Sequence, residues 1–216
     1  MEHIVNEDIL GIVVAMTIEA EPLIEYYKLE KNNIKGFSYY VNHKIKIIIS
    51  GVGVINSTLA TYILLNDLNC THIINYGVAG FTGDVHHHCE IFTINKVYKR
   101  DINFTALGYE LYQFPDKPKY IQLQTDNRLP MLDCYTSDEY IGPKSRVPNN
   151  VLVDMEGYCV AHICERYQTS CMIYKSISDN TPDHDTQGQI DAHLTNAIEM
   201  ISNFIIHEVI ERGVTF

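Results

Sequence analysis

Near the start of the chain, Ile9-Leu10-Gly11-Ile12-Val13-Val14-Ala15 forms an unbroken apolar run rich in β-branched residues. Such a run fits a strand buried on both faces. Helical spacing follows from residue 19 to about 29, with Pro22 tolerable in its first turn. Residues 37 to 41 and 44 to 50 flank Asn42-His43 and predict a hairpin, the second run leading into Ser50-Gly51-Val52-Gly53. A helix carrying Ile55, Leu59, Tyr62 and Ile63 comes next, then a buried strand at 71 to 75 ending in Gly77-Val78-Ala79-Gly80. Residues 90 to 98 and 119 to 124 read as strands. The long polar stretch 99 to 118 between them reads as a functional loop. Residues 149 to 153 lead into a helix at 154 to 167, 170 to 178 is a strand, and a long helix covers roughly 187 to 212.

Strands alternating with helices predict an α/β fold: a central mixed, largely parallel sheet flanked by helices. In such sheets ligands sit beyond the carboxyl ends of the strands. That is where Met16-Thr17-Ile18-Glu19, Gly51-Val52-Gly53, Gly77-Val78-Ala79-Gly80 and Ser178-Asp179 fall. The 216 residues suit one domain, 1–216, with no break or repeat.

Composition narrows the partners. Net charge is −11, from 16 Lys+Arg against 27 Asp+Glu, and no basic cluster exists to hold a phosphate backbone, so a nucleic-acid partner is not expected. Cysteines at 70, 89, 134, 159, 164 and 171 are irregularly spaced and read as reduced, buried thiols. The Met-Glu-His start lacks the basic n-region of a signal peptide. The apolar run from Ile9 falls far short of the ~20 residues that cross a bilayer. A cytoplasmic protein without membrane attachment is the expectation.

Gly77-x-x-Gly80-x-x-Gly83 is no dinucleotide fingerprint, and there is no P-loop. Singly, these glycines read as turns at strand ends. The stretches Ala15-Met16-Thr17-Ile18-Glu19-Ala20-Glu21, Ser50-Gly51-Val52-Gly53, Ile73-Ile74-Asn75-Tyr76-Gly77-Val78-Ala79-Gly80, Thr105-Ala106-Leu107-Gly108-Tyr109-Glu110, Val153-Asp154-Met155-Glu156 and Ser176-Ile177-Ser178-Asp179 are more specific together. In this order, over roughly residues 9 to 212, they resemble the 5'-methylthioadenosine/S-adenosylhomocysteine nucleosidases of the purine nucleoside phosphorylase/uridine phosphorylase family.

The resemblance implies cleavage of a purine nucleoside at its N-glycosidic bond, without cofactor or metal. That reaction builds positive charge on the sugar and negative charge on the leaving base. It needs an acid toward purine N7, a carboxylate beside the ribose and a base for the attacking water. By resemblance these are Asp179, Glu156 and Glu19. An Asp that donates a proton near neutrality must be held above its ordinary pKa, so burial of Asp179 is expected. Taken alone, Glu19 and Glu156 would pass for charges complementing a helix N-terminus and Ser178-Asp179 for a cap; Asp154 is read as structural.

The resemblance also places Tyr140 and Ile141 against the base, Met155 against the ribose, and Val78 and Ala79 on the floor, with Ser178 beside Asp179. Val52, Ile190 (Gln189 in the alternative register) and, from a partner subunit, Leu107 and Pro115 would line a 5' pocket, which implies a homodimer. Lys175 stands where relatives usually carry Arg, keeping the charge without the planar fork. Phe81 and Leu107 also depart from the family pattern. His86-His87-His88 invites a metal reading, but adjacent loop residues diverge and no ligand set completes it. Asp183-His184-Asp185 reads as a solvated loop. Two alternatives stay open: a phosphate-dependent phosphorylase and a non-catalytic nucleoside-binding relative. No Arg occurs between residues 1 and 99, which favours water over phosphate as nucleophile.

Overall fold

The computed structural model describes residues 8–83, 90–141, 146–180 and 186–214. In chain order the elements are β1 (Leu10–Val14), α1 (Thr17–Tyr27), β2 (Glu30–Ile34), β3 (Phe37–Val41), β4 (Ile45–Ile49), α2 (Val54–Asn66) and β5 (His72–Phe81). There follow β6 (Ile91–Lys99), a 3-10 turn (Thr105–Leu107), β7 (Ile121–Gln122), β8 (Met131–Thr136), β9 (Leu152–Asp154), α3 (Gly157–Tyr167), β10 (Ser170–Asn180), α4 (Thr186–Phe204) and a π-helical end (Ile205–Glu211).

One mixed sheet runs β10-β6-β8-β9-β5-β1-β4-β3-β2, and β10 also pairs with β5. The extra pairing closes β5, β10, β6, β8 and β9 into a ring, with β1, β4, β3 and β2 as an open wing. β1 is clamped between parallel neighbours β4 and β5, as its uninterrupted apolar run requires. Its side chains alternate between two cores: Val13 packs with Ala60, Ile63 and Leu64 of α2, whereas Ile12 and Val14 pack with Leu23 of α1 and Ile201 of α4.

Several boundaries differ from the sequence reading. The first helix begins at Thr17, so Pro22 lies past the first turn, where it removes the i→i−4 donor toward Ile18. It stops at Lys28, whose left-handed backbone (φ 51°) turns the chain into β2, an edge strand too polar to be read as one. The third helix starts at Gly157 rather than 154; Asp154 ends a strand, because β9 pairs with both β8 and β5. β8 was hidden by its mixed pattern.

Two corrections shape the site. Gly77 and Gly80 are not turns but lie inside β5, which continues to Phe81. A Cβ on Gly77 would stand 2.5 Å from Oε1 of Glu19, so a tertiary contact, not a bend, calls for glycine there. Likewise Asp179 does not follow its strand but lies within β10. The β10–β5 register slips after Ile177↔Ala79, so that Asp179 pairs with Gly80 and Ser178 is left over as a bulge. Without it, Asp179 would share a face with Ile177, which packs in the core; the bulge moves it to the face of Gly80.

Candidate active site

The site forms where β1, β4, β5, β9 and β10 end or open. It is a cavity of about 190 Å³ whose wall includes Glu19, Glu156 and Asp179 together. These three are only 2, 6 and 5% exposed, so each carboxyl is removed from water while facing one shared space. Val52, Val78, Tyr140, Ile141 and Met155 complete much of the apolar lining.

Glu19 is fixed by backbone alone. Its Oε2 accepts the N–H groups of Ala15 (3.1 Å) and Met16 (2.9 Å), the carboxylate half of a capping box at the start of α1. Its Oε1 accepts Val78 N–H at 3.2 Å, tying α1 to β5. Burial nonetheless outweighs these three bonds and the charge of Lys175, and raises its pKa. A carboxylate with raised basicity suits proton abstraction from water.

Glu156 lies two residues past the end of β9, immediately before α3, and its Oε1 accepts Gly53 N–H at 2.9 Å. Gly53 adopts φ 105°, and a Cβ there would lie 2.8 Å from Asp138 Oδ1, which accepts Val54 N–H at the start of α2. Burial first, then the charges of Asp154 and Glu19, raise Glu156 to about 7, while Lys175 and the Gly53 bond pull it down. Asp179 receives Ser178 Oγ–H at 2.7 Å, yet burial raises it as well.

A fully buried ion pair adjoins this wall, with Asp154 itself part of the lining. Lys175 Nζ sits 2.9 Å from Asp154 Oδ2, with side-chain exposures of 2% and 1%. Burial alone would drive Asp154 up, but Lys175, Thr136 Oγ1–H and Gly157 N–H hold it below the usual carboxylate range. Burial similarly disfavours the Lys175 charge, and Asp154 and Glu156 more than restore it. Asp154 therefore does more than cap a helix: it balances Lys175, whose charge lowers the pKa of both Glu19 and Glu156.

Not every expected residue reaches the cavity. Ala79 turns its methyl into the core, as strand alternation requires once Val78 faces the site, and so does not line the floor. Ser178 donates to Asp179 and Lys175 pairs with Asp154, and neither side chain lines the cavity. Leu107 is exposed on the 3-10 turn, Pro115 borders a second cavity with Phe114 and Tyr158, and Ile190 is half-buried on α4; none lines the cavity of its own chain. His86-His87-His88 and Asp183-His184-Asp185 lie outside the described residues. Among those described, no group of three His, Cys, Asp or Glu side chains is arranged to hold a metal, and no helix is long and apolar enough to cross a membrane. The five described cysteines are buried and unpaired by disulfides. Arg100, on the cavity wall directly after β6, was missed; a single Arg at the end of an apolar strand carries no pattern.

Known proteins share this architecture. No protein-family model matches the chain. The aminodeoxyfutalosine nucleosidase of Campylobacter jejuni is 26% identical, over 91% of this chain and 96% of its own. A 5'-methylthioadenosine/S-adenosylhomocysteine nucleosidase of Buchnera aphidicola is 29% identical over 80% of this chain and 78% of its own. The chain is a relative of these nucleosidases. Among solved structures, the Helicobacter pylori 5'-methylthioadenosine/S-adenosylhomocysteine nucleosidase with butyl-thio-DADMe-Immucillin-A superposes with TM-score 0.86 at 21% identity, over 95% of this chain and 99% of its own. Futalosine hydrolase of the same species gives 0.85 at 22% identity, over 94% and 98%. At such identities the likeness establishes the fold, nucleoside phosphorylase-like, as the sequence resemblance implied.

Proposed function

We propose that this chain hydrolyses the N-glycosidic bond of an adenine nucleoside, giving free base and the ribosyl sugar. One observation carries the reading: three carboxyls from distant parts of the chain are buried around one cavity, each with its pKa raised by that burial. In this scheme Asp179 protonates the base at N7, Glu156 steadies the ribose as positive charge develops, and Glu19 takes the proton from water. Tyr140, Ile141, Met155 and Val78 shape the pocket around base and sugar.

The names of the relatives suggest the substrate panel: 5'-methylthioadenosine, S-adenosylhomocysteine, aminodeoxyfutalosine and futalosine. Incubating the protein with each, with and without phosphate, and following released base tests the proposal. Release in phosphate-free buffer is expected; strict dependence on phosphate would make the enzyme a phosphorylase, and binding without turnover a non-catalytic relative.

The active form is proposed to be a cytoplasmic homodimer in which Leu107 and Pro115 complete the partner's 5' pocket. In support, Ile55, Leu59 and Tyr62 recur at helical spacing on α2 and are 71, 48 and 38% exposed, an apolar stripe that a second copy would cover. Sedimentation of a fully active monomer would refute it.

A further inference from the structure

Arg100 has no part in the scheme above, yet its side chain is 5% exposed on the wall of the cavity. Its Nη2 donates to Ser137 Oγ at 2.6 Å and to the Glu139 carbonyl, its Nη1 reaches Glu139 Oε2 at 3.5 Å, and its backbone N–H donates to Thr136 O at 2.8 Å. Ser137 Oγ is the knot of this turn: it also accepts Glu139 N–H at 2.9 Å and donates to the Glu139 carbonyl at 3.2 Å. The guanidinium thus closes the turn at 137–139, which delivers Tyr140 and Ile141 to the cavity.

The hold does not come from the ion pair. Glu139 is 72% exposed, and an exposed carboxylate at that distance contributes little. It comes from charge-assisted hydrogen bonds to a buried hydroxyl and a backbone carbonyl, made by a planar group whose nitrogens diverge at a fixed angle. Nε is also buried and has no hydrogen-bond partner among the described residues. A guanidinium kept there despite an unused donor is costly as mere filling. We infer that Arg100 is a positioning residue for the purine, fixing the Tyr140–Ile141 wall and so governing affinity for the base more than the rate of bond cleavage. The inference rests on the nucleosidase reading.

The test compares wild type with Arg100→Ala and Ser137→Ala, measuring adenine binding by calorimetry and kcat and KM on 5'-methylthioadenosine. Losing a charge-assisted hydrogen bond weakens what it holds by about tenfold to a hundredfold. Arg100→Ala is expected to raise the adenine Kd and the KM about tenfold to a hundredfold, with kcat within about threefold. Millimolar guanidinium chloride should recover part of that loss in Arg100→Ala and leave wild type unchanged. Ser137→Ala should shift both constants in the same direction, less than additively with Arg100→Ala. Should Arg100→Ala not fold, Ser137→Ala decides alone by its Kd and KM. Unchanged adenine affinity and KM in the variants, or a loss confined to kcat, overturns the inference. Wild-type protein that binds no adenine and turns over no nucleoside overturns the nucleosidase reading with it.

Discussion

Replacing Lys175 by Met removes the cation buried against Asp154 and leaves the site's shape nearly intact. At 2.9 Å from Asp154, its gross attraction is about 6 kcal/mol at an effective dielectric near 20. Much of this offsets the desolvation of two ions, but truncating one partner strands the other, which costs about 3–5 kcal/mol. For a chain of this size each kcal/mol lowers Tm by about 2–4 °C, so the melt should fall by about 6–20 °C. The second consequence separates an electrostatic role from a structural one. Lys175 pulls the Glu156 pKa down and Asp154 pushes it up. Lys175→Met should therefore move the acidic limb of the pH–rate profile above about 7, and Asp154→Asn should move it below. The assay is adenine release from 5'-methylthioadenosine between pH 5 and 9, beside thermal melts of the same samples. Limbs that stay put in both variants, or move in the same direction, would refute the argument even if both proteins melt early.

Three further outcomes follow from the same geometry. Because Glu156 holds its proton up to about 7 when folded against 4.5 when unfolded, stability falls as pH rises through that window, by on the order of 3 kcal/mol. Glu156→Gln should thus be inactive yet melt above wild type at pH 8, with the difference vanishing below pH 4.5; a lower melt at pH 8 would contradict it. Gly77→Ala places a methyl against the Glu19 carboxylate and should cut kcat by about a hundredfold or more while the protein stays folded by circular dichroism. Asp179→Asn should abolish base release and retain nucleoside binding by calorimetry; turnover that survives it removes the proposed acid.

Much of the fold was legible because burial leaves a local trace. β1, β4 and the first half of β5 are covered on both faces, and their apolar runs say so. β2 escaped because an edge strand need bury little, and all its residues but Ile34 are exposed. β9 escaped because three residues are too few for a pattern. Their pairing is decided by neighbours distant in sequence, and no window of local sequence contains that information.

The site was legible in a different way. Its carboxyls were named by co-linear motifs, but the reasons for their chemistry lie in contacts between those motifs. Glycine at 77 signals a turn until the Glu19 carboxylate is seen to occupy the place of its side chain. Asp179 belongs on the core face by strict alternation, and only the bulge at Ser178 brings it to the cavity. Asp154 looks like a helix charge until the helix is found to start later and Lys175 to lie beneath it. In each case one polar group has displaced the local preference of another segment. Such conflicts are tolerated where tertiary contacts compensate them. Here they gather at a single cavity, so the misread positions point to the same place as the motifs do.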